Sequence, residues 1–333
     1  LPIPVEDGVQ VRIHYRIALL EAYAVTRRIA LFVLAGLLAM STTNAAPLSR
    51  IGDHRVVEED LVYARAEGIE LEARIYRPEG VTNPPAVIDI HGGAWSSGDR
   101  SGGKVYGQAL ASAGLFVFAI DFRQAPQFQH PAASQDIVAA IRYVRANSQR
   151  LGIDVSRLGL IGSSSGGHLA MLTGIMPNSP RFAGTSIAVE KGGFEVPQDK
   201  VEPLAFIIAL WPVSDPAYRF EFAKRTGRAD LIKSHEAYYG TTASMQAASV
   251  PRALRDGEAE HLPALLVVQP GNDVNIPRDM TFDLLNAYQA AGGQVDYQFY
   301  PGQAHAFGHR PSDATDELVR AMRDFIDRNI SRQ

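Results

Sequence analysis

The five residues Gly162-Ser163-Ser164-Ser165-Gly166 constrain this chain more than any other segment. They follow the apolar run Arg157-Leu158-Gly159-Leu160-Ile161 and lead into His168-Leu169-Ala170-Met171-Leu172. The order predicts a buried strand, a sharp turn and a helix that begins at once. A G-x-S-x-G turn in that setting holds its central serine on a strained corner, with the hydroxyl clear of the backbone. The flanking glycines let strand and helix approach closely. With 29 glycines in the chain, the five-residue pattern alone decides little. Its place between a strand and a small-residue helix gives it weight. Ser164 is the candidate, because Ser163 and Ser165 are expected to point into the turn or back along the helix.

The rest of the chain alternates. Residues 56–63 and 69–76 read as two early antiparallel strands. A strand at 86–90, a helix at 106–113 and a strand at 115–120 follow. Residues 131–149 read as a helix, with Ile137, Ala140, Ile141 and Val144 at helical spacing. Later strands are expected at 204–211, 264–269 and 295–300. Such alternation implies an α/β class, with a mostly parallel sheet of eight strands and helices on both faces. Catalytic loops then gather at the strand carboxyl ends. Two stretches fall outside the alternation and read as insertions. Residues 177–203 are rich in Gly, Pro and charge. Residues 216–262 hold Tyr218, Phe220, Phe222, Tyr238 and Tyr239 and are expected to form a small cap. Those aromatics could line a pocket, but packing the cap onto the body is the commoner use.

Three strand ends carry further candidates. Residues 86–90 run into His91-Gly92-Gly93-Ala94-Trp95. Attack on a carbonyl puts negative charge on its oxygen, which needs fixed N–H donors. Gly93 and Ala94 can offer two and Ser165 a third, helped by the positive end of the helix that begins there. His91 reads as a brace for this loop and Trp95 as a packing residue. Beyond residues 264–269, Asp273 stands where an acid can orient an imidazole. Asp215, in Ser214-Asp215-Pro216, and Asp279, past Pro277, are the rivals. After residues 295–300, His305 is the first histidine and is favoured as base over His309.

These residues together resemble the α/β-hydrolase family. His91-Gly92-Gly93-Ala94-Trp95 with Gly162-Ser163-Ser164-Ser165-Gly166-Gly167-His168 is similar to the branch with feruloyl-esterase-like and kynurenine-formamidase-like enzymes, and to the hormone-sensitive-lipase-like esterases. The likeness covers roughly residues 55 to 330. It implies a serine hydrolase acting on small-molecule carboxylic esters of small or medium acyl groups through an acyl-enzyme. Ser164, Asp273 and His305 would form the triad; Gly93, Ala94 and Ser165 the oxyanion hole. An arylformamidase of the same fold is the alternative; a non-catalytic binding protein is a further one. Many relatives carry a third glycine where this chain has Ala94, whose methyl group narrows the loop but leaves its backbone donor.

Composition excludes some classes. A net charge of −4 gives no sign of nucleic-acid binding. With no cysteine there are no disulfides and no thiolate chemistry. The histidines show no metal-ligand spacing, so no metal or cofactor is expected. Arg27 and Arg28 precede an apolar run at residues 29–40, then Ser41-Thr42-Thr43-Asn44-Ala45-Ala46. That order reads as a signal peptide over residues 25–46, cleaved near Ala45 or Ala46, with export to the periplasm or medium. The run is shorter than the roughly 20 residues of a stable membrane span. Residues 1–24 are expected to be a non-native extension, and 47–333 a single domain.

Overall fold

The computed structural model describes residues 47–189 and 192–331. The expected extension 1–24 and the signal segment 25–46, with its cleavage site at Ala45 or Ala46, lie outside the described residues.

Strands without a polar face form the middle of the sheet. Every residue of β3 (Pro85–Ile90), β4 (Phe116–Ile120) and β8 (Phe206–Leu210) is buried, as is most of β5 (Asp154–Ser163) and β9 (Ala264–Pro270). Such continuous apolar runs belong to strands covered on both sides. With β1 (Val56–Ala66), β2 (Ile69–Pro78), β6 (Ser186–Ala188), β7 (Phe194–Glu195) and β10 (Val295–Tyr300), the sheet among the described residues has ten strands in the order β10-β9-β8-β5-β3-β4-β2-β1-β6-β7. Pairing is parallel from β10 through β4. It turns antiparallel at β2 and β1.

The sequence suggested eight strands. The additional two are β6 and β7. They are too short to show any alternation. β6 joins the edge of β1 at Ala64 and Arg65, so part of the stretch 177–203 extends the sheet.

Helices cover both faces. On one, α1 (Lys104–Ser112) and α9 (Asp313–Ile330) bring Tyr106, Leu110, Leu318, Met322 and Phe325 against Val87, Val117, Ile161 and Val268. On the other lie α2 (Ala132–Ala146), α3 (Ser165–Ile175) and α8 (Arg278–Ala290), with Ile137, Leu169 and Met280 against Ile88, Leu160 and Leu265. The stretch 216–262 packs on this second face as α4 (Pro216–Arg225), α5 (Ala229–Tyr239), α6 (Thr242–Ala247) and α7 (Val250–Arg255). Among the described residues no helix is long and apolar enough to cross a membrane. The parallel strands all point the same way, so the loops after β3, β5, β9 and β10 meet along one edge of the sheet.

Candidate active site

Ser164 stands at the corner between β5 and α3 with φ +54° and ψ −116°. A non-glycine residue held there stores roughly 1–3 kcal/mol of strain. The surrounding backbone imposes the geometry. The Ser164 N–H donates to Leu210 O at 2.9 Å, and its carbonyl accepts from Val213 and His168, both at 3.2 Å. Gly166 has to be glycine, because a Cβ there would lie 2.1 Å from the Ile90 carbonyl oxygen. Ser163 and Ser165 are fully buried, whereas Ser164 keeps partial exposure.

His305 reaches this corner from the loop after β10. Its Nε2 lies 3.0 Å from Ser164 Oγ, and its Nδ1 lies 2.8 Å from Asp273 Oδ2. A carboxylate can only accept, so Nδ1 carries the proton and Nε2 offers its lone pair to the serine hydroxyl. Asp273 follows β9. Its other oxygen accepts the N–H groups of Asn275 at 2.8 Å and Ile276 at 3.0 Å. With its side chain fully enclosed, the carboxylate is fixed from three directions. Trp211, buried at the end of β8, sets its ring edge-on to His305 at 6.3 Å between centroids.

The loop after β3 passes against the same corner. A Cβ on Gly92 would come within 3.3 Å of Ser164 Cβ. Gly93, Ala94 and Trp95 follow with φ of +116°, +53° and +61°, three left-handed residues in a row. Backbone turned this way directs successive N–H groups to one side. Among the described residues, nothing accepts from the amides of Gly93 and Ala94. Ser165 is the first residue of α3, so its N–H has no partner inside the helix. His91 donates its Nδ1–H to Gly92 O at 2.6 Å and stacks on Phe122 with ring centroids 4.2 Å apart. Burial holds its pKa below the ordinary range, so it braces the loop as an uncharged ring.

The rival residues sit elsewhere. Asp215 caps α4, accepting from Tyr218 N at 2.8 Å, and takes the Ser249 hydroxyl at 2.7 Å. Asp279 lies in the first turn of α8. His309 packs on Trp211 and Tyr106, and burial pushes its pKa down to about 4. Among the described residues no group of acidic and histidine side chains is arranged to hold a metal ion.

Sequence reasoning passed over Trp211, Arg219 and His235. Arg219 did leave a signal. Pro216, Arg219, Phe220 and Ala223 form the buried stripe of α4, so a cation occupies a core position of an amphipathic helix. Of the cap aromatics, Phe220, Tyr238 and Tyr239 are buried and Tyr218 is exposed.

Solved structures share this architecture. A hyperthermophilic esterase from Pyrobaculum calidifontis superposes with a TM-score of 0.66 over 84% of this chain and 85% of that one, at 23% identity. Esterase B from Lactobacillus rhamnosis gives a TM-score of 0.67 over 96% of both chains, at 22% identity. The chain has the α/β-hydrolase fold. The BD-FAE family model matches residues 74–215, which include the loop after β3 and the Ser164 corner. By sequence, this chain is 25% identical to Esterase LipC of Mycobacterium tuberculosis over 75% of its own length and 60% of that protein's. It is 27% identical to an ethyl acetate hydrolase of Pseudomonas putida over 79% of its own length and 80% of that protein's. It thus spans less than two thirds of the first of these relatives and most of the second.

Proposed function

We propose that this α/β-hydrolase cleaves carboxylic esters of small or medium acyl groups through an acyl-enzyme on Ser164. The observation that carries the reading is the line of hydrogen bonds from Ser164 through His305 to Asp273, set beside amides without acceptors. His305 Nε2 takes the hydroxyl proton as Ser164 Oγ attacks the ester carbonyl. The oxygen that becomes negative meets the N–H groups of Gly93, Ala94 and Ser165, at the positive end of α3. Asp273 fixes the tautomer and stabilises the imidazolium. His305 then gives its proton to the departing alcohol, leaving the acyl group on Ser164. Water attacks that acyl carbonyl with His305 again as base, and the acid leaves. The names of the relatives, esterase and ethyl acetate hydrolase, support ester over amide substrates and a short acyl group.

The test is turnover of p-nitrophenyl acetate, butyrate and octanoate, with N-formylkynurenine beside them. The two short esters are expected to be cleaved fastest. Ser164→Ala is expected to lower kcat by roughly 10⁴-fold to 10⁶-fold. Near-normal turnover in that variant, or deformylation faster than ester cleavage, rejects the reading.

We further propose that residues 25–46 direct export. The order of basic pair, apolar run and small residues supports this. Amino-terminal sequencing of protein recovered outside the cytoplasm is expected to begin at Ala46 or Pro47. Exported protein that retains residues 25–46 counts against cleavage there.

A further inference from the structure

Arg219 is a buried cation that the chemistry above does not use. It lies on α4 at 1% exposure. Its Nε donates to His235 Nε2 at 3.3 Å, and its Nη2 is enclosed with no hydrogen-bond partner. His235 can accept because its Nδ1–H goes to Leu231 O at 2.6 Å. Burial, with Arg219 beside it, keeps that ring neutral, its pKa pushed down to about 3. Burial also draws the guanidinium down to about 10, so it stays charged at neutral pH. Asp273 and Asp230 act on this charge only from beyond ion-pair distance; a buried charge with no carboxylate in contact is unfavourable, and an apolar side chain of like volume would fill the same space more easily. A merely packed core does not account for it.

What the guanidinium does meet is the indole of Trp95, with Cζ 5.1 Å from the ring centroid. The same indole stacks on Tyr238 at 5.4 Å with the planes 3° apart. His168, His235 and Tyr239 stand edge-on around it, at 5.7, 5.3 and 5.1 Å. Trp95 follows Ala94 directly and has φ +61°, a conformation a bulky residue avoids unless held. A desolvated cation–π contact is of the same order as the strain in one such residue. The grip on the ring is therefore strong enough to keep the loop from relaxing. If it relaxed, the peptide planes before Trp95 would rotate and the amides of Gly93 and Ala94 would turn away.

We propose that Arg219 is a positioning residue: it grips the Trp95 indole and so holds the Gly93 and Ala94 N–H groups on the oxygen of the reacting carbonyl. The cap is then part of the machinery of the sheet edge, beyond being a cover for it. The proposal rests on the ester-hydrolase reading.

The test compares a p-nitrophenyl ester with its thiono analogue, in which sulfur replaces the carbonyl oxygen. Sulfur is larger and a poorer acceptor, so a well-placed donor pair discriminates against it and a loosened pair does so less. Arg219→Met is expected to lower kcat on the oxygen ester by roughly tenfold to a hundredfold. KM should stay within about threefold, as an interaction made only in the transition state requires. The oxygen-to-thiono rate ratio should fall by about tenfold or more. Arg219→Lys keeps the cation without the His235 bond and should fall between. Trp95→Phe should lower the ratio similarly, and the double variant Arg219→Met/Trp95→Phe should be no worse than the poorer single one. Should Arg219→Met fail to fold, Arg219→Lys and Tyr238→Leu carry the same comparison. A wild-type enzyme inactive on both esters removes the ester reading and this proposal with it. An active wild type whose ratio is unchanged in the folded variants overturns the positioning role alone, whatever happens to Tm.

Discussion

Asp89 sits on β3, two residues ahead of the loop that carries Gly93 and Ala94. Its carboxyl accepts from the Tyr106 hydroxyl at 2.9 Å. Gly103 packs so tightly against it that a Cβ there would lie 1.9 Å from Asp89 Oδ2. Burial outweighs the Tyr106 bond and pushes the pKa up to about 7. Below about pH 4 both folded and unfolded chains carry the proton, and the site has no pH-dependent cost. Between about pH 4 and 7 the unfolded chain releases it while the folded one retains it, so stability falls as pH rises. Above about pH 7 the loss levels off at no more than about 4 kcal/mol. Asp89→Asn keeps an acceptor for Tyr106 without the charge. It is expected to be more stable than wild type at about pH 8, with the gain fading toward pH 4. Urea unfolding across that range checks it, and an offset constant with pH would contradict it. Asp89 shows what one residue conceals: its type and position on a buried strand are legible, but its proton depends on Tyr106 and Gly103. Ser164, Asp273 and His305 are legible together because their chain order follows the strand ends. Arg219 and Trp211 are defined only by what surrounds them.

At the scale of elements, two acids follow buried strands, and the sequence favours Asp273 over Asp215 by chain order alone. Asp215 comes after β8 and Asp273 after β9, each in a turn with Asn, Pro or Ser close by. Local chemistry cannot separate them, since a carboxylate past a strand serves equally as a helix cap or as a partner for imidazole. The structure parts them by their hydrogen bonds: Asp215 starts α4 and ties it to Ser249, while Asp273 faces His305. The two substitutions should therefore differ in kind. Asp273→Asn is expected to lower kcat by roughly 10⁴-fold, because the amide favours the wrong imidazole tautomer. Asp215→Ala is expected to lower stability by about 1 kcal/mol through the lost cap, with turnover reduced far less. Thermal melts beside kcat on p-nitrophenyl butyrate distinguish them. The reverse pattern would reassign the acid. Elements also set the limit of legibility for the sheet. Long strands such as β5 and β9 announce themselves by apolar runs. β6 and β7 have too few residues to carry a pattern and exist because β1 offers an unpaired edge.

Across the molecule, one buried ion pair joins segments far apart in the chain. Arg123, just past β4, meets Asp136 of α2 through Nη2 at 2.8 Å and through its backbone N–H at 2.8 Å. Its Nη1 reaches Glu67 in the turn between β1 and β2 at 2.5 Å. Thr185, just ahead of β6, donates to Asp136 Oδ1 at 2.9 Å. Asp136 is fully buried and Arg123 nearly so. The early hairpin, the central sheet, α2 and the added edge strand thus share one buried polar knot. No spacing in the sequence pairs positions 67, 123, 136 and 185; only the closed topology does. A buried pair of this kind contributes little net stability over an apolar one, because desolvation offsets attraction, but losing one partner leaves a bare charge. Arg123→Met is therefore expected to destabilise the fold by about 3–5 kcal/mol, and Asp136→Leu by a similar amount. The double variant Arg123→Met/Asp136→Leu should lose less than the sum of the two, since neither charge is then stranded. Urea unfolding of the four proteins closes the cycle. Additive losses would mean that each residue holds its own neighbours separately, Arg123 the hairpin and Asp136 the edge strand, and that the knot is two independent ties.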